Sequence, residues 1–218
     1  MNYLAHALLA EPHAYSIAGN IAGDLVKGRL AEHDLHPRIA DGLRRHRRVD
    51  ALTDSHPRYR ALRALFPTAQ RRLAPIVLDV LFDHFLTQHW SAFSDWPRDA
   101  FIDAVYRVLC SPGMPLPREL AAVAPRWVAA DWLRVYESRD GVAAVIDRLA
   151  RRASRPLPLP QVLQSAWHRE DDLRIAFFEV FHDVRSQLDG LVTGADARRL
   201  GHHAGARPDG KRGRRRVA

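Results

Sequence analysis

The segment 73–90, LAPIVLDVLFDHFLTQHW, most constrains how this chain can fold, because it is apolar around nearly its whole helical circumference. Such a helix has no solvent face, so we predict a buried central helix onto which the other elements pack. It nonetheless carries Asp79 and Asp83 four positions apart on one face, with His84 directly after them. Buried carboxylates are costly unless they are paired, which indicates a bound metal or arginine partners. A structural ion pair or a hydrogen bond between helices is the alternative.

The rest of the chain favours helices as well. Alternating β-branched runs bounded by hairpin turns are missing, whereas apolar residues recur every three to four positions. We therefore predict an all-α fold, a compact single-domain helical bundle. The helices are expected at 2–10, 16–29, 37–53, 57–66, 68–94, 97–110, 130–137, 140–152 and 160–188.

Composition and charge indicate which part of the chain folds and in which cellular compartment the protein is expected. The chain has 218 residues, 47% of them hydrophobic, and a net charge of +8, much of which lies in the last residues. That end has no apolar periodicity, so we expect a helical domain over 1–190 and a basic, disordered tail over 191–218. The single cysteine, Cys110, and the lack of a leader or of an apolar run near about 18 residues favour a cytoplasmic protein without a membrane span.

A second stretch, 37–53, is one-sided, with His46 and Asp50 on its apolar stripe. A histidine and an aspartate one turn apart can ligate a metal or act as an acid–base pair. The flanks carry four arginines that could meet a phosphate or an acidic partner: Arg44, Arg45, Arg47 and Arg48. A core histidine beside a solvated basic face is the alternative.

Two further residues could join this chemistry. Gly23 would let another group approach Asp24 closely, and His6 lies on an apolar helix, where a core histidine is commoner than a ligand. The candidates mix imidazole and carboxylate without the cysteine spacing of a structural zinc site, which favours Mn²⁺, or Mg²⁺ or another divalent ion. No Walker loop, GxGxxG, GxSxG or HExxH segment is present, which argues against nucleotide kinases, dinucleotide oxidoreductases and serine hydrolases.

Four segments carry a resemblance to a known family: MNYLAHALLA, GNIAGDLVKG, GLRRHRRVDALTDSHP and RRLAPIVLDVLFDHFLTQHW. Their order over 1–188 resembles that of the acyl carrier protein phosphodiesterases, which are similar to a divergent all-helical branch of the HD-domain metal-dependent phosphohydrolases. The resemblance implies a Mn²⁺-stimulated hydrolysis of the phosphodiester between phosphopantetheine and a serine of holo acyl carrier protein, which leaves the apo carrier protein.

The resemblance also implies roles for individual residues. The expected metal ligands are Asp24, His46, Asp83 and His84. The expected catalytic residues are Asp24, His46, Asp50 and Asp79. The expected substrate-binding residues are Arg44, Arg47 and Arg48. His6 is a further candidate, although the family often has a second histidine two positions later, where this chain has Leu8.

Two other functions stay open at this point. One is an HD-like phosphohydrolase that acts on a nucleotide or an alarmone, which would share the metal chemistry. The other is a basic helical nucleic-acid-binding module, which would explain the positive charge but not the aspartates in an apolar helix. Holo acyl carrier protein is the expected partner, no specific nucleic acid is expected, and the sequence does not indicate an oligomeric state.

Overall fold

Ten α-helices and no strand occur in the part of the chain that the computed structural model describes, residues 1–152 and 154–203, with 191–203 described by backbone alone. This confirms the predicted all-α fold. The helices are α1 (Tyr3–Leu8), α2 (Ala14–Ala22), α3 (Pro37–Ser55), α4 (Pro57–Leu62), α5 (Ala74–Gln88), α6 (Arg98–Leu109), α7 (Arg118–Ala129), α8 (Arg139–Arg152), α9 (Leu159–Trp167) and α10 (Glu170–His203).

Prolines set where several of these helices begin. Pro37, Pro57 and Pro75 each lie in the first turn of a helix, where no amide hydrogen bond is lost. Proline also disfavours helical backbone in the residue before it, so His56 is extended and separates α3 from α4. The imidazole Nδ1 of His56 then accepts a hydrogen bond from the Arg58 amide and caps α4.

Helix α5 is the buried central helix that the sequence predicts. It packs against α1, α8, α9 and the 3₁₀ turn Arg134–Glu137. Phe82 and Phe85 are fully buried, and their rings lie 5.3 and 6.0 Å from the ring of Phe177 in α10. Burying a phenylalanine contributes about 1.5–3 kcal/mol, so these aromatic contacts are a substantial part of what holds the core together.

Helices α2 and α3 cross with their backbones in contact. A Cβ at Gly19 would lie 2.7 Å from the Gly42 Cα, and a Cβ at Gly42 would lie 2.9 Å from the Gly19 Cα. Any side chain at either position would therefore force the helices apart. The close crossing holds the next turn of α3, which carries His46, against the end of α2.

Some predicted helix bounds are wrong. The segment 68–94 forms a 3₁₀ turn, α5 and a second 3₁₀ turn rather than one helix, and 160–188 is divided between α9 and α10. Helix α7 was missed because it follows a run of prolines and contains Pro125. The helix expected at 130–137 is only the 3₁₀ turn Arg134–Glu137, since Asp131 adopts a left-handed backbone conformation with φ of 48°.

The chain divides into one compact unit, Met1–Val184, and a second unit, Arg185–Ala218. Helix α10 continues to His203, whereas residues 204–218 and the side chains of 191–203 lie outside the described part of the chain. The disordered tail expected over 191–218 therefore stays a prediction. None of the described helices combines the length and apolar character that crossing a bilayer requires.

Asp83 joins the central helix to α1. Its Oδ2 accepts a hydrogen bond from the Leu4 amide at 2.8 Å, and its Oδ1 accepts one from the Ala5 amide at 3.0 Å. These amides lie in the first turn of α1, where a helix supplies no acceptor of its own. The carboxylate is fully buried, and burial raises its pKa to about 7, although the two amides oppose the rise. The sequence left a metal site, an ion pair or a hydrogen bond between helices as alternatives for Asp83, and the structure shows the hydrogen bond.

Replacing Asp83 with Ala should destabilise the fold rather than only remove an active-site group. Two buried amides would lose their acceptor, at about 1–3 kcal/mol each, so we expect a loss of about 2–6 kcal/mol in the free energy of unfolding. Chemical denaturation measures this loss. Asp83→Asn, which keeps one acceptor oxygen, should lose less, and an Asp83→Ala variant as stable as the parent would contradict the contact.

The pH dependence of stability gives a second test of Asp83. Because its pKa is higher in the folded chain than in the unfolded one, the folded state holds an extra proton between about pH 4 and 7. The free energy of unfolding of the parent should therefore fall relative to that of Asp83→Asn as pH rises through this window. Denaturation at several pH values measures the difference, and a constant difference would show that Asp83 titrates normally.

Candidate metal centre

Helices α1 and α3 bring three polar side chains together: His6, His46 and Asp50. The His6 Nε2 lies 3.1 Å from Asp50 Oδ1, and the His46 Nε2 lies 3.1 Å from Asp50 Oδ2. One ligand atom from each residue falls within 4.8 Å of the other two. Two ligands at right angles, each about 2.1 Å from an ion, are about 3.0 Å apart, so the His–Asp separations fit neighbouring ligands of one divalent ion.

The orientation of His46 supports this assignment. Its Nδ1 lies 2.9 Å from the Asn20 carbonyl, which can only accept, so Nδ1 carries a proton. In a neutral ring the Nε2 then presents its lone pair to the Asp50 carboxylate. Two lone pairs at 3.1 Å repel unless a cation or a proton lies between them. A backbone carbonyl that fixes the far nitrogen is also the usual support of a metal-binding histidine.

His6 supplies the second imidazole. Its side chain is buried, its Nε2 also lies 3.1 Å from the Met1 carbonyl, and its Nδ1 has no hydrogen-bond partner among the described residues. The His6 and His46 rings stack at 3.8 Å. Burial lowers the pKa of His6 to about 4 against the opposing effect of Asp50, so His6 is neutral at pH 7. The Met1 carbonyl can only accept, so the ring proton lies on Nε2, and ligation through Nε2 requires that proton to move to the unpartnered Nδ1.

Two carboxylates complete the immediate surroundings. Burial would raise the pKa of Asp50, but the imidazole groups of His46 and His6 beside its two oxygens outweigh burial and hold that pKa below its ordinary value, so Asp50 is an anion at pH 7. Asp24 is exposed, and its Oδ1 lies 3.8 Å from the His46 Nε2. Asp24 thus offers a further oxygen on the open side of the group.

Gly23 makes room for His46. A Cβ at this position would lie 2.1–2.3 Å from atoms of the His46 ring. The group that approaches Gly23 closely, as the sequence predicts, is therefore the His46 ring. This contact also brings Asp24, the next residue, close to His46.

Asp79 lies beside this group and is linked to it through the ammonium group of Met1. Its Oδ1 accepts hydrogen bonds from the Met1 amine at 3.2 Å and from the Tyr59 hydroxyl at 3.0 Å. The amine is also 3.9 Å from Asp50 Oδ1. Burial lowers the pKa of the amine, but Asp79 and Asp50 outweigh it and raise the net value.

Asp83 and His84 do not join this arrangement. No hydrogen bond or ion pair connects either of them to Asp24, His46 or Asp50 in the described part of the chain. Asp83 is engaged by α1, and the His84 Nδ1 donates to the Tyr136 carbonyl at 2.7 Å. His84 lines a separate cavity of about 390 Å³. Consecutive residues point about 100° apart around a helix, so neighbours in sequence do not share a site here.

The arginines of α3 are largely engaged within the protein. Arg44 donates to Asp41 one turn away, and Arg45 donates to the Leu9 carbonyl. Arg47 donates to the Gly28 carbonyl at 2.8 Å and so holds the segment that follows Asp24. Arg48 is exposed. A role for Arg44, Arg47 and Arg48 in substrate binding stays a prediction.

The sequence matches a known family over the whole of this helical unit. Residues 1–184 match the family described as acyl carrier protein phosphodiesterase. The chain belongs to this family. Relatives called acyl carrier protein phosphodiesterase in Salmonella newport (strain SL254) and Salmonella heidelberg (strain SL476) are each 36% identical over 174 residues, which cover 78% of this chain and 86% of the relative. No solved structure matches, so the likeness to HD-domain phosphohydrolases stays a prediction.

Gly23→Ala tests the geometry around His46. The added methyl group would overlap the imidazole, so we expect a loss of about 1–3 kcal/mol in the free energy of unfolding. Displacing a ligand of this kind should also weaken Mn²⁺ binding by about 10–100-fold in calorimetry. Gly190→Ala is the matched control, because a Cβ there meets nothing within 4 Å. Unchanged stability and Mn²⁺ affinity in Gly23→Ala would contradict the contact.

Proposed function

We propose that this protein hydrolyses the phosphodiester between phosphopantetheine and a serine of holo acyl carrier protein, and that it does so with a divalent ion, Mn²⁺ as the expected one. Membership of the family supports the reaction. The observation that supports a bound metal is that a ring nitrogen of each histidine lies 3.1 Å from an oxygen of Asp50.

The ligands in this proposal are His6, His46 and Asp50, with Asp24 beside them on the open side. Asp50 is ionised at pH 7 and binds an ion directly, whereas neutral His6 keeps its charge and only moves its ring proton from Nε2 to Nδ1. The Asn20 carbonyl fixes His46 in the ligating orientation. A divalent ion bound there would lower the pKa of a water molecule and neutralise charge on the phosphate.

Asp79 is the residue best placed to accept a proton from the attacking water. Its Oδ1 is occupied by the Met1 amine and the Tyr59 hydroxyl, whereas its Oδ2 receives no hydrogen bond from the described residues. Asp79 is also partly exposed, so water can reach it. The two donors on Oδ1 hold the carboxylate in place, as a positioned general base requires.

The metal requirement and its ligands can be tested with one matched pair of variants. The side-chain amide of Asn reproduces the Nδ1 donor of histidine but lacks Nε2. His46→Asn should therefore keep its bond to Asn20 and lose the ligand, whereas His84→Asn should keep its bond to Tyr136. We expect hydrolysis of holo carrier protein to fall at least about 100-fold in His46→Asn and to stay within about threefold in His84→Asn.

The assay follows the intact mass of holo carrier protein as the whole phosphopantetheine group is lost. Chelation should abolish the reaction and Mn²⁺ should restore it. A nucleotide panel run in parallel distinguishes a phosphohydrolase of other specificity. Full turnover by metal-free protein, or by His46→Asn, would refute the metal site, and an equal loss in His84→Asn would return His84 to the ligand set.

A further inference from the structure

We propose that Arg60, Arg63 and Arg71 form the surface on which the acidic face of the carrier protein docks, a proposal that rests on the function above. The three arginines line an open cavity of about 730 Å³, together with Asp54, Tyr59, Ala64 and Pro75. We call this the arginine cavity. Neither the family resemblance nor the sequence pattern singles it out.

The guanidinium groups of the arginine cavity are held in place by the backbone. In each case Nε donates to a carbonyl: Arg60 to Asp54 at 2.9 Å, Arg63 to Arg71 at 3.2 Å, and Arg71 to Phe66 at 3.1 Å. No carboxylate of the described residues lies within ion-pair distance of these three arginines. The terminal nitrogens, which form bidentate pairs with carboxylates, are therefore available to a partner.

The arginines that the sequence favours for this role are different. On α3, Arg44 already pairs with Asp41, whereas Arg47 donates to two backbone carbonyls and Arg48 is exposed. A charge that is neutralised within the protein contributes less to attracting a partner. Of these α3 charges, that of Arg44 is neutralised by a described carboxylate, whereas the arginine cavity brings three unneutralised guanidinium groups together around one concavity.

The arginine cavity lies next to the candidate metal centre. Tyr59 lines the cavity, and its hydroxyl group donates a hydrogen bond to Asp79. Along α3, His46, Asp50 and Asp54 follow one another at intervals of four residues, or about 6 Å of helix. Asp50 belongs to the candidate metal centre and Asp54 lines the cavity, so the two features lie about one helical turn apart along α3.

The shape and polarity of the cavity favour a protein partner. Pockets for small molecules are mostly enclosed and apolar, whereas all three arginines here are exposed to solvent. Arginine is enriched at protein interfaces, where its planar fork matches carboxylates better than lysine does. Acidic side chains on the surface of the carrier protein would supply those carboxylates.

The test measures binding of apo carrier protein, which lacks the bond to be cleaved, so the result does not depend on hydrolysis. Single Arg63→Glu and Arg71→Glu variants should raise the dissociation constant about fivefold to tenfold, and added salt should weaken the parent more than the variants. Arg118→Glu is the matched control, since it makes the same charge change at an exposed arginine on α7. Arg63→Lys and Arg71→Lys keep the charge but lose the planar fork and the Nε bond, and should raise the dissociation constant less than the Glu variants do.

A second measurement uses a small diester, bis(p-nitrophenyl) phosphate, with Mn²⁺. Its turnover should be unchanged in the Glu variants, because the metal centre does not include these arginines. The docking surface would be overturned if both Glu variants bound apo carrier protein as tightly as the parent. It would also be overturned if the Lys variants lost as much affinity as the Glu variants. An equal loss of small-diester turnover in the Glu variants would overturn it as well. If the parent binds apo carrier protein through the arginines but leaves holo carrier protein intact, the docking surface stands and the proposed hydrolysis fails.

Discussion

The contact between Gly19 and Gly42 determines where the candidate metal centre of this protein can form. Because α2 and α3 touch through their backbones there, His46 reaches the Asn20 carbonyl one turn further along. The same closeness explains why residue 23 has no side chain, since the imidazole occupies the space that a methyl group would need. A pair of small residues thus sets the orientation of a buried histidine.

The second side of the candidate metal centre depends on Asp83 instead. This carboxylate holds the first turn of α1 against the central helix, and α1 carries His6. A buried carboxylate is expensive, but the two amides without helical acceptors donate to it, which offsets part of that cost and satisfies both amides. Asp83 therefore acts on the site through the position of a helix rather than through a contact with the reacting atoms.

The sequence predicts some of this arrangement well. The all-α fold and the buried α5 follow from apolar periodicity, and the four-residue spacing of His46 and Asp50 places both on one face of α3. The sequence does not show which buried carboxylate faces which histidine, because that depends on how helices cross. Asp83 and His84 were attractive ligands for this reason, although they point to different sides of α5. Whether an arginine is already paired, as Arg44 is with Asp41, is also a property of the folded chain.

The backbone bonds of the arginine cavity have a consequence for the entropy of association. A long exposed side chain normally gives up rotational freedom when a partner fixes it, at about 0.5–1.5 kcal/mol for each one. Arg60, Arg63 and Arg71 have given up part of that freedom during folding, because each Nε is already tied to a carbonyl. A partner that meets these three groups encounters a preorganised surface, so more of the attraction between charges remains as binding affinity.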